Sequence, residues 1–173
     1  MSLDTGNNLM TLQESKYYLG MSTSATSSFN ERLYDLINTV SYRFNAETDR
    51  KLKNRSITEY IDGDGSTQYR TREWPITSSA SSMSLYIDNT RSFSTSTKVD
   101  STSILVYSTK GLIILDGESF PEGRQNIKLT YKAGFSTIPY DLQYAGKEYL
   151  RLLWKREQSN RVGVRSESVQ GGS

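Results

Sequence analysis

The chain contains neither cysteine nor histidine in its 173 residues. Without cysteine it has no disulfide, no thiolate nucleophile and no iron–sulfur cluster, and without histidine it has no Ser-His-Asp triad and no imidazole-bound metal. Hydrophobic residues are also scarce, at 35% of the chain against about 45–50% in an average globular protein. The chemistry left open is that of carboxylates, Ser–Lys pairs and oxygen-bound cations, together with binding and assembly.

The charges nearly balance, with 21 Lys and Arg against 19 Asp and Glu and a net charge of +2. Such a balance predicts neither nucleic-acid affinity nor membrane affinity. No apolar run approaches the roughly 18 residues of a membrane span, and the first residues lack the pattern of a secretory signal peptide. We therefore expect a soluble chain of cytoplasmic origin with no membrane partner.

Three helices are predicted, at about residues 11–20, 28–50 and 139–157. The first begins with the capping box Thr11-Leu12-Gln13-Glu14, and the third begins near Pro139. Helical spacing predicts that the second helix buries one apolar face, formed by Phe29, Leu33, Leu36, Ile37, Val40 and Phe44. The predicted apolar face of the third helix consists of Leu142, Ala145, Tyr149, Leu152 and Leu153, with Trp154 adjoining.

A β lobe is predicted between the second and third helices, over about residues 57–131, because the pattern there changes to short strands separated by turn residues. Six strands are expected, at residues 57–61, 67–71, 83–87, 104–107, 112–115 and 127–131. The first two flank Asp62-Gly63-Asp64-Gly65-Ser66 and predict a hairpin, and a second hairpin is predicted around residues 108–111. The Ser- and Thr-rich stretch 89–103 is expected to be an exposed excursion.

These elements together predict an α+β fold. The N- and C-terminal helices are expected to pack as a small bundle, with a β-rich lobe of about six short antiparallel strands between them. We expect a single domain over residues 1–158, followed by an extended C-terminal tail over residues 159–173.

Carboxylates in two loops are the only candidates for general acid–base chemistry, namely Asp62 and Asp64 in one loop and Asp116, Glu118 and Glu122 in another. A carboxylate hydrolase would need two of them within catalytic reach, which the sequence does not determine. Solvated surface acids are the alternative. The Asp62–Gly65 stretch also lacks the ligand spacing of an EF-hand calcium loop, so a plain turn is the favoured interpretation.

Basic residues gather late in the chain, at Lys147, Arg151, Lys155, Arg156, Arg161 and Arg165. They suit a solvated helix face whose cations lie at the negative end of the helix dipole. A region that docks on an acidic partner is the alternative. The alternation of polar and apolar residues over 161–165 is typical of a strand that pairs with a sheet edge.

Tyrosine is abundant, at 12 residues, and Ser and Thr number 26 and 17. A Tyr-rich chain without cysteine is typical of carbohydrate- or surface-binding β modules and of assembly proteins, because tyrosine combines contact area with a polar tip. Alternatively, Tyr60, Tyr69, Tyr86 and Tyr107 are simply strand residues.

Several short motifs follow one another along the chain. In order they are Leu12-x-Glu14-x-Lys16-x-Tyr18-Leu19-Gly20, then Leu33-x-x-Leu36-Ile37 with Ser41 and Thr48-x-Arg50, then Pro75, then Ile127-x-Leu129-x-Tyr131-x-Ala133-Gly134-Phe135-x-x-Ile138-Pro139-x-Asp141-Leu142-x-x-Ala145, then Arg156 and Arg161-x-Gly163. In this order they resemble the head–tail connector (adaptor, or head-completion) proteins of long-tailed bacteriophages. The resemblance extends over most of the chain.

The resemblance implies a structural virion protein that is not an enzyme and binds no cofactor. Such proteins form a homo-oligomeric ring, usually a dodecamer, beneath the portal protein, and the ring extends the channel for double-stranded DNA. The opposite face receives the next neck or tail-completion protein, and DNA passes without sequence readout. The implied location is the virion neck at the head–tail interface, after assembly in the host bacterial cytoplasm.

The resemblance also assigns roles to particular residues. The portal-binding candidates lie in the C-terminal tail and are Arg161, Val162, Gly163, Val164 and Arg165. The positions that match the family motif with a structural role are Tyr131, Ala133, Gly134, Pro139 and Asp141.

Overall fold

The α+β class expected from the sequence is present in a computed structural model that describes residues 2–22 and 27–159. The chain divides into two compact units. The first, here called the helical unit, comprises Met1–Phe44 and Pro139–Ser173, and the second, called the β unit, comprises Asn45–Ile138. The predicted tail, residues 159–173, lies outside the described residues from position 160 onward, so its conformation and the domain boundary at 158 stay predictions.

The described part of the chain contains three α-helices, close to the predicted ones: α1 Leu12–Tyr18, α2 Ser27–Glu47 and α3 Tyr140–Gln158. The predicted capping box at the start of α1 is confirmed. The Glu14 N–H donates to the Thr11 hydroxyl at 3.2 Å, and the Thr11 N–H donates to the Glu14 carboxylate at 2.7 Å. These two bonds satisfy backbone N–H groups at the start of α1 that would otherwise need water. They help to stabilise a helix that, at seven residues, is marginal on its own.

The predicted apolar face of α2 is mostly confirmed, since Leu33, Leu36, Ile37 and Val40 are buried. Phe44 is partly buried, and Phe29 departs furthest from the prediction, because its side chain is 42% exposed. The Ser41 hydroxyl belongs to the same buried face. It donates to the Ile37 carbonyl at 2.7 Å and accepts from the Leu9 N–H at 3.1 Å. This polar residue therefore ties the N-terminal segment to α2 at a position where an apolar side chain could not.

The predicted apolar face of α3 is correct only in part, because the buried side of the helix is rotated from the predicted one. Its buried residues are Gly146, Leu150 and Trp154. Of the predicted face, Leu142, Tyr149 and Leu153 are partly buried, whereas Ala145 and Leu152 are exposed. The cause is Gly146, where an added Cβ would lie 2.8 Å from the Met10 Cε atom. Because Gly146 has no side chain, α3 can pack closely against the N-terminal segment at Met10. The sequence prediction counted only apolar side chains, so it did not include this glycine in the buried face.

Six β-strands lie in the β unit, all of which the structure describes. In chain order they are β1 Arg55–Gly63, β2 Gln68–Arg70, β3 Ser84–Ile87, β4 Ile104–Tyr107, β5 Leu112–Leu115 and β6 Gly123–Ala133. They form two antiparallel three-stranded sheets with the orders β1-β6-β3 and β2-β5-β4. The number and places of the strands match the prediction, although β1 and β6 are longer than expected.

The first predicted hairpin is wrong, whereas the second is confirmed. β1 pairs with β6 and β2 pairs with β5, so the two strands that flank Asp62–Ser66 belong to different sheets. The loop after β1 instead contacts the loop after β5. Gly65 N–H donates to the Phe120 carbonyl at 2.7 Å, and Phe120 N–H donates to the Ser66 carbonyl at 2.7 Å. β4 and β5 do form a hairpin, closed by Gly111 in the left-handed conformation.

The core of the β unit lies between these strands and the loops that join them. Its buried residues are Ile76, Met83, Leu85, Ile104, Ile113, Leu115, Phe120, Ile127, Leu129, Tyr131 and Ala133. The Ser- and Thr-rich segment 89–103 is largely exposed, as predicted, yet it covers the outer edge of β3. Val99 N–H donates to the Leu85 carbonyl at 2.8 Å. The segment therefore shields an edge that would otherwise invite pairing with another chain.

Asp88 anchors the start of that segment and makes it sensitive to acid. Its two carboxylate oxygens accept from the hydroxyls of Thr90 and Ser92 and from the N–H groups of Thr90 and Phe93. These bonds hold the pKa of the Asp88 carboxyl well below its usual range. A carboxyl with a depressed folded pKa contributes stability above the ordinary carboxyl pKa of about 4, and the contribution is lost as pH falls toward the folded pKa.

We therefore expect Asp88→Asn to lose less stability than the wild type when the pH falls from about 7 to about 2.5, below the ordinary carboxyl pKa. The measurement is the urea midpoint at each pH. Glu118→Gln, a change at an exposed loop acid, is the control and should lose as much as the wild type. If Asp88→Asn and the wild type lost the same stability between these two pH values, the low folded-state pKa of the Asp88 carboxyl would be contradicted.

Candidate functional site

A ridge of side chains on α3 is exposed along its whole length. Tyr140, Tyr144, Glu148 and Leu152 follow one another at four-residue spacing and so lie on one side of the helix. Tyr140 is 88% exposed, Tyr144 60% and Leu152 46%. Large apolar side chains repeated along one exposed row indicate a surface that contacts other molecules. We call these four residues the α3 ridge.

Tyr18 from the end of α1 holds the middle of the α3 ridge in place. Its ring meets the Tyr144 ring edge-on, with centroids 6.4 Å apart, and its hydroxyl donates to the Glu148 carboxylate. The hydrogen bond to Glu148 is the main cause that raises the pKa of Tyr18 to about 12. Tyr18 therefore remains a neutral donor at physiological pH, and the ridge has a defined geometry.

A groove lies beside the ridge, within the helical unit. It has a volume of about 570 Å³, which is within the range of ligand-binding clefts. We call it the aromatic groove; its lining is Tyr18, Leu19, Gly20, Met21, Phe29, Arg151, Trp154, Lys155 and Gln158. The buried Trp154 ring lies 6.3 Å from the Phe29 ring, centroid to centroid. The half-exposed Phe29 thus belongs to this groove.

Local backbone geometry at the end of α1 shapes one wall of the groove. Gly20 has a φ of 69°, in the left-handed region, and an added Cβ there would meet nothing within 4 Å. Met21 N–H then donates back to the Lys16 carbonyl at 2.9 Å, closing the helix end. The glycine therefore turns the chain so that Leu19 and Met21 face the groove.

The described part of the predicted basic cluster lies on α3. Arg151, Lys155 and Arg156 are exposed, and the last two occupy the final turn, where the helix dipole favours cations. Arg151 lies 3.9 Å from the Glu148 carboxylate. Arg151 and Lys155 both line the aromatic groove. Their exposure agrees with a solvated helix face, and the docking region stays a prediction.

The predicted portal-binding residues Arg161, Val162, Gly163, Val164 and Arg165 lie outside the described residues. The assignment of a partner-binding role to them stays a prediction.

Two predicted motif residues, Tyr131 and Ala133, are buried in the core of the β unit. The Tyr131 hydroxyl donates to the Glu59 carboxylate and accepts from the Glu73 N–H at 3.2 Å. Burial, followed by the bond to Glu59, raises the pKa of Tyr131 above its usual range. Glu73 also forms an ion pair with Arg55 at 2.8 Å. Tyr131 therefore links β6 to a network of polar groups beside the core.

The other three predicted motif residues lie at the connection from β6 to α3. Gly134 has a φ of 103°, and an added Cβ would lie 2.7 Å from the carbonyl carbon of Lys53. Pro139 immediately precedes α3 as its N-cap residue, and its carbonyl accepts from the Gln143 N–H at 3.0 Å. Asp141 supplies a negative charge in the first turn of α3, where the helix dipole favours it.

An aromatic cluster on the outer face of the first sheet escaped the sequence analysis. Tyr60, Lys128 and Tyr86 are in register across β1, β6 and β3. The Lys128 ammonium lies 6.0 Å from the Tyr60 ring centroid and 5.8 Å from those of Tyr86 and Phe93. These tyrosines are strand residues, as one interpretation held, and the cation occupies the space between their rings. The sequence alone did not predict this cluster, because its residues are brought together only by the register of β1, β6 and β3.

The loop carboxylates are exposed, and two of them accept backbone hydrogen bonds. Asp62 accepts from the Gln125 N–H at 2.7 Å, and Asp64 accepts from the Ser66 N–H at 2.9 Å. Within residues 2–22 and 27–159, no three acidic side chains come together in a way that could hold a metal ion. No helix in this same part of the chain has the length and apolarity that a bilayer crossing demands.

The sequence matches no protein-family model and no curated protein. Its fold is similar to chains in structures of gene transfer agent (GTA) particles. One is the neck of an empty GTA particle computed with C6 symmetry, with a TM-score of 0.65 and 13% identity over 100% of this chain and 87% of that chain. Another is the virion of a native GTA particle, with a TM-score of 0.62 and 13% identity over 98% and 86%.

A third similar structure is the neck of a native GTA particle computed with C12 symmetry, with a TM-score of 0.58 and 14% identity over 99% of this chain and 86% of that chain. At this level of identity the likeness concerns the fold. It extends over the whole chain, both the helical unit and the β unit.

Proposed function

We propose that this chain is a structural virion protein, a head–tail connector that forms a ring in the neck of a phage or phage-like particle. The observation that carries the proposal is the agreement of its fold, over its full length, with chains of GTA particles whose necks were computed with C6 and C12 symmetry. The ordered sequence motifs support the same family independently of the fold.

The surface chemistry of the helical unit supports a role in assembly. A ring forms from heterologous contacts, in which one patch of each copy meets a different patch of the next copy. Such contacts are rich in aromatic and Arg side chains. The α3 ridge and the aromatic groove supply such residues, including the exposed Tyr140 and Tyr144. The helical unit therefore carries two surfaces suited to contacts between copies, and assembly through them would require no catalytic group.

The proposed partners follow from the position of a neck ring. The portal protein would bind the tail through Arg161–Arg165, and the next neck or tail-completion protein would dock on the opposite face. Double-stranded DNA would pass through the ring without base readout, which agrees with a net charge of only +2. The work of this protein would be contact and alignment rather than catalysis, in the virion neck.

The test is the state of assembly of the full-length chain. We expect electron microscopy and mass photometry to show rings with a central hole and about twelve copies of the 19.6 kDa chain, either alone or on portal-bearing capsids. A chain that stays monomeric under both conditions and is absent from purified particles would overturn the proposal. Specific glycan binding by that monomer would instead favour a carbohydrate-binding β module.

A further inference from the structure

The aromatic groove combines an apolar floor with a cationic rim. Trp154 and Phe29 form the floor, and Arg151 and Lys155 stand at its edge. Apolar area supplies most of the binding energy in such a cleft, whereas exposed charges at its rim select the partner and set the encounter rate. A segment that fits must therefore be narrow, acidic and able to lie against aromatic rings.

Such a segment exists on the chain itself, in the β unit. The loop after β1 and the loop after β5 are joined by the two hydrogen bonds between Gly65, Ser66 and Phe120. Five exposed carboxylates lie in these two loops and at the adjoining end of β1, and we call them the acidic tip: Asp62, Asp64, Asp116, Glu118 and Glu122. No Lys or Arg occurs between residues 111 and 123, and Arg124 is the first base after the loop.

The shape of the acidic tip also suits the groove. The tip includes the exposed stretch Asp116-Gly117-Glu118-Ser119, in which two small residues alternate with two acids. An added Cβ at Gly117 would meet nothing within 4 Å, so the space beside the backbone at this position is open. Its backbone can approach an aromatic floor closely while its carboxylates reach outward to cations.

We propose that, in the ring, the acidic tip of one copy docks in the aromatic groove of the next copy. Glu118 and Asp116 meet Lys155 and Arg151, and the Gly117 backbone lies against Phe29 and Trp154. The two patches have opposite charge and different chemistry, as a heterologous contact requires, and rotation repeats that contact around a closed ring. The inference rests on the proposed ring and names the surfaces that close it.

The experiment reverses one charge on each side of the contact in the full-length protein. Lys155→Glu and Glu118→Lys should each weaken ring assembly about tenfold in the concentration of half-assembly, because like charges then face each other across the contact. The double variant Lys155→Glu with Glu118→Lys should recover to within about threefold of the wild type, since the pair is restored in reverse. Mass photometry over a concentration series measures all three.

Arg156→Glu is the matched control, because it makes the same charge change one residue along the same helix without lining the groove. It should leave ring assembly unchanged, and circular dichroism should show all variants folded, since every substituted residue is exposed. If the wild type and Lys155→Glu form rings equally well, or if the double variant is no better than the singles, the docking proposal is wrong and the ring stands. If the wild type forms no ring, the proposed function fails and this contact fails with it.

Discussion

Removal of residues 163–173 is expected to leave a folded protein that no longer joins portal-bearing heads to tails. All the packing that the structure describes in the helical unit involves residues before that segment, since α3 ends at Gln158 and Ser159 N–H donates back to the Lys155 carbonyl at 3.1 Å. Thermal unfolding should therefore stay close to that of the full-length chain. Joining should fall to background, because the deletion removes most of the alternating stretch that would pair with the portal.

The matched control for this deletion is a shorter one that removes only residues 167–173 and keeps Arg161–Arg165. It should join heads to tails as well as the full-length chain. The measurement is the fraction of particles with attached tails, counted by electron microscopy in an assembly reaction. Unchanged joining after removal of residues 163–173 would rule out the tail as the portal anchor, and a lost thermal transition would show that the tail also stabilises the fold.

Gly134→Ala is expected to cost about 3 kcal/mol of unfolding free energy, the largest effect we expect from a single substitution. Two costs combine at this position. A φ of 103° is disfavoured for any residue with a side chain, and the added Cβ would lie 2.7 Å from the carbonyl carbon and oxygen of Lys53. Those neighbours are backbone atoms that cannot rotate away, so β6 would have to shift against the segment before β1.

Gly117→Ala separates the two costs. Gly117 has a φ of 75°, but an added Cβ would meet nothing within 4 Å. Only the conformational cost of about 1–2 kcal/mol applies there. Urea unfolding followed by circular dichroism measures both variants. Equal losses in the two would show that the close approach to Lys53 contributes nothing.

The sequence predicted those elements whose signals are local. The Thr11–Glu14 capping box, most of the apolar face of α2 and the six strands depend on residues close in sequence, and they are found in the structure. The first hairpin was predicted wrongly because adjacent strands with a Gly-rich turn normally pair, whereas here β6, the long apolar strand, takes β1 as its partner.

The candidate site was harder to predict. Arg151 and Lys155 stood out as part of a basic cluster, but their groove also needs Phe29 and the turn at Gly20, which are more than 100 residues earlier. The phase of α3 was missed because Gly146 is a packing residue without a side chain. The groove residues come together only through contacts between different elements, which residue spacing within one helix does not predict.

The pairing of β1 with β6 constrains the order in which the protein can fold during synthesis. β6, Gly123–Ala133, is the central strand of its sheet, so neither β1 nor β3 can pair with it until those residues have left the ribosome. The helical unit likewise waits for α3, which buries Leu150 and Trp154 in its core. Neither unit is therefore complete until its last element, β6 or α3, has been made, and the nascent chain lacks the aromatic groove until α3 is present.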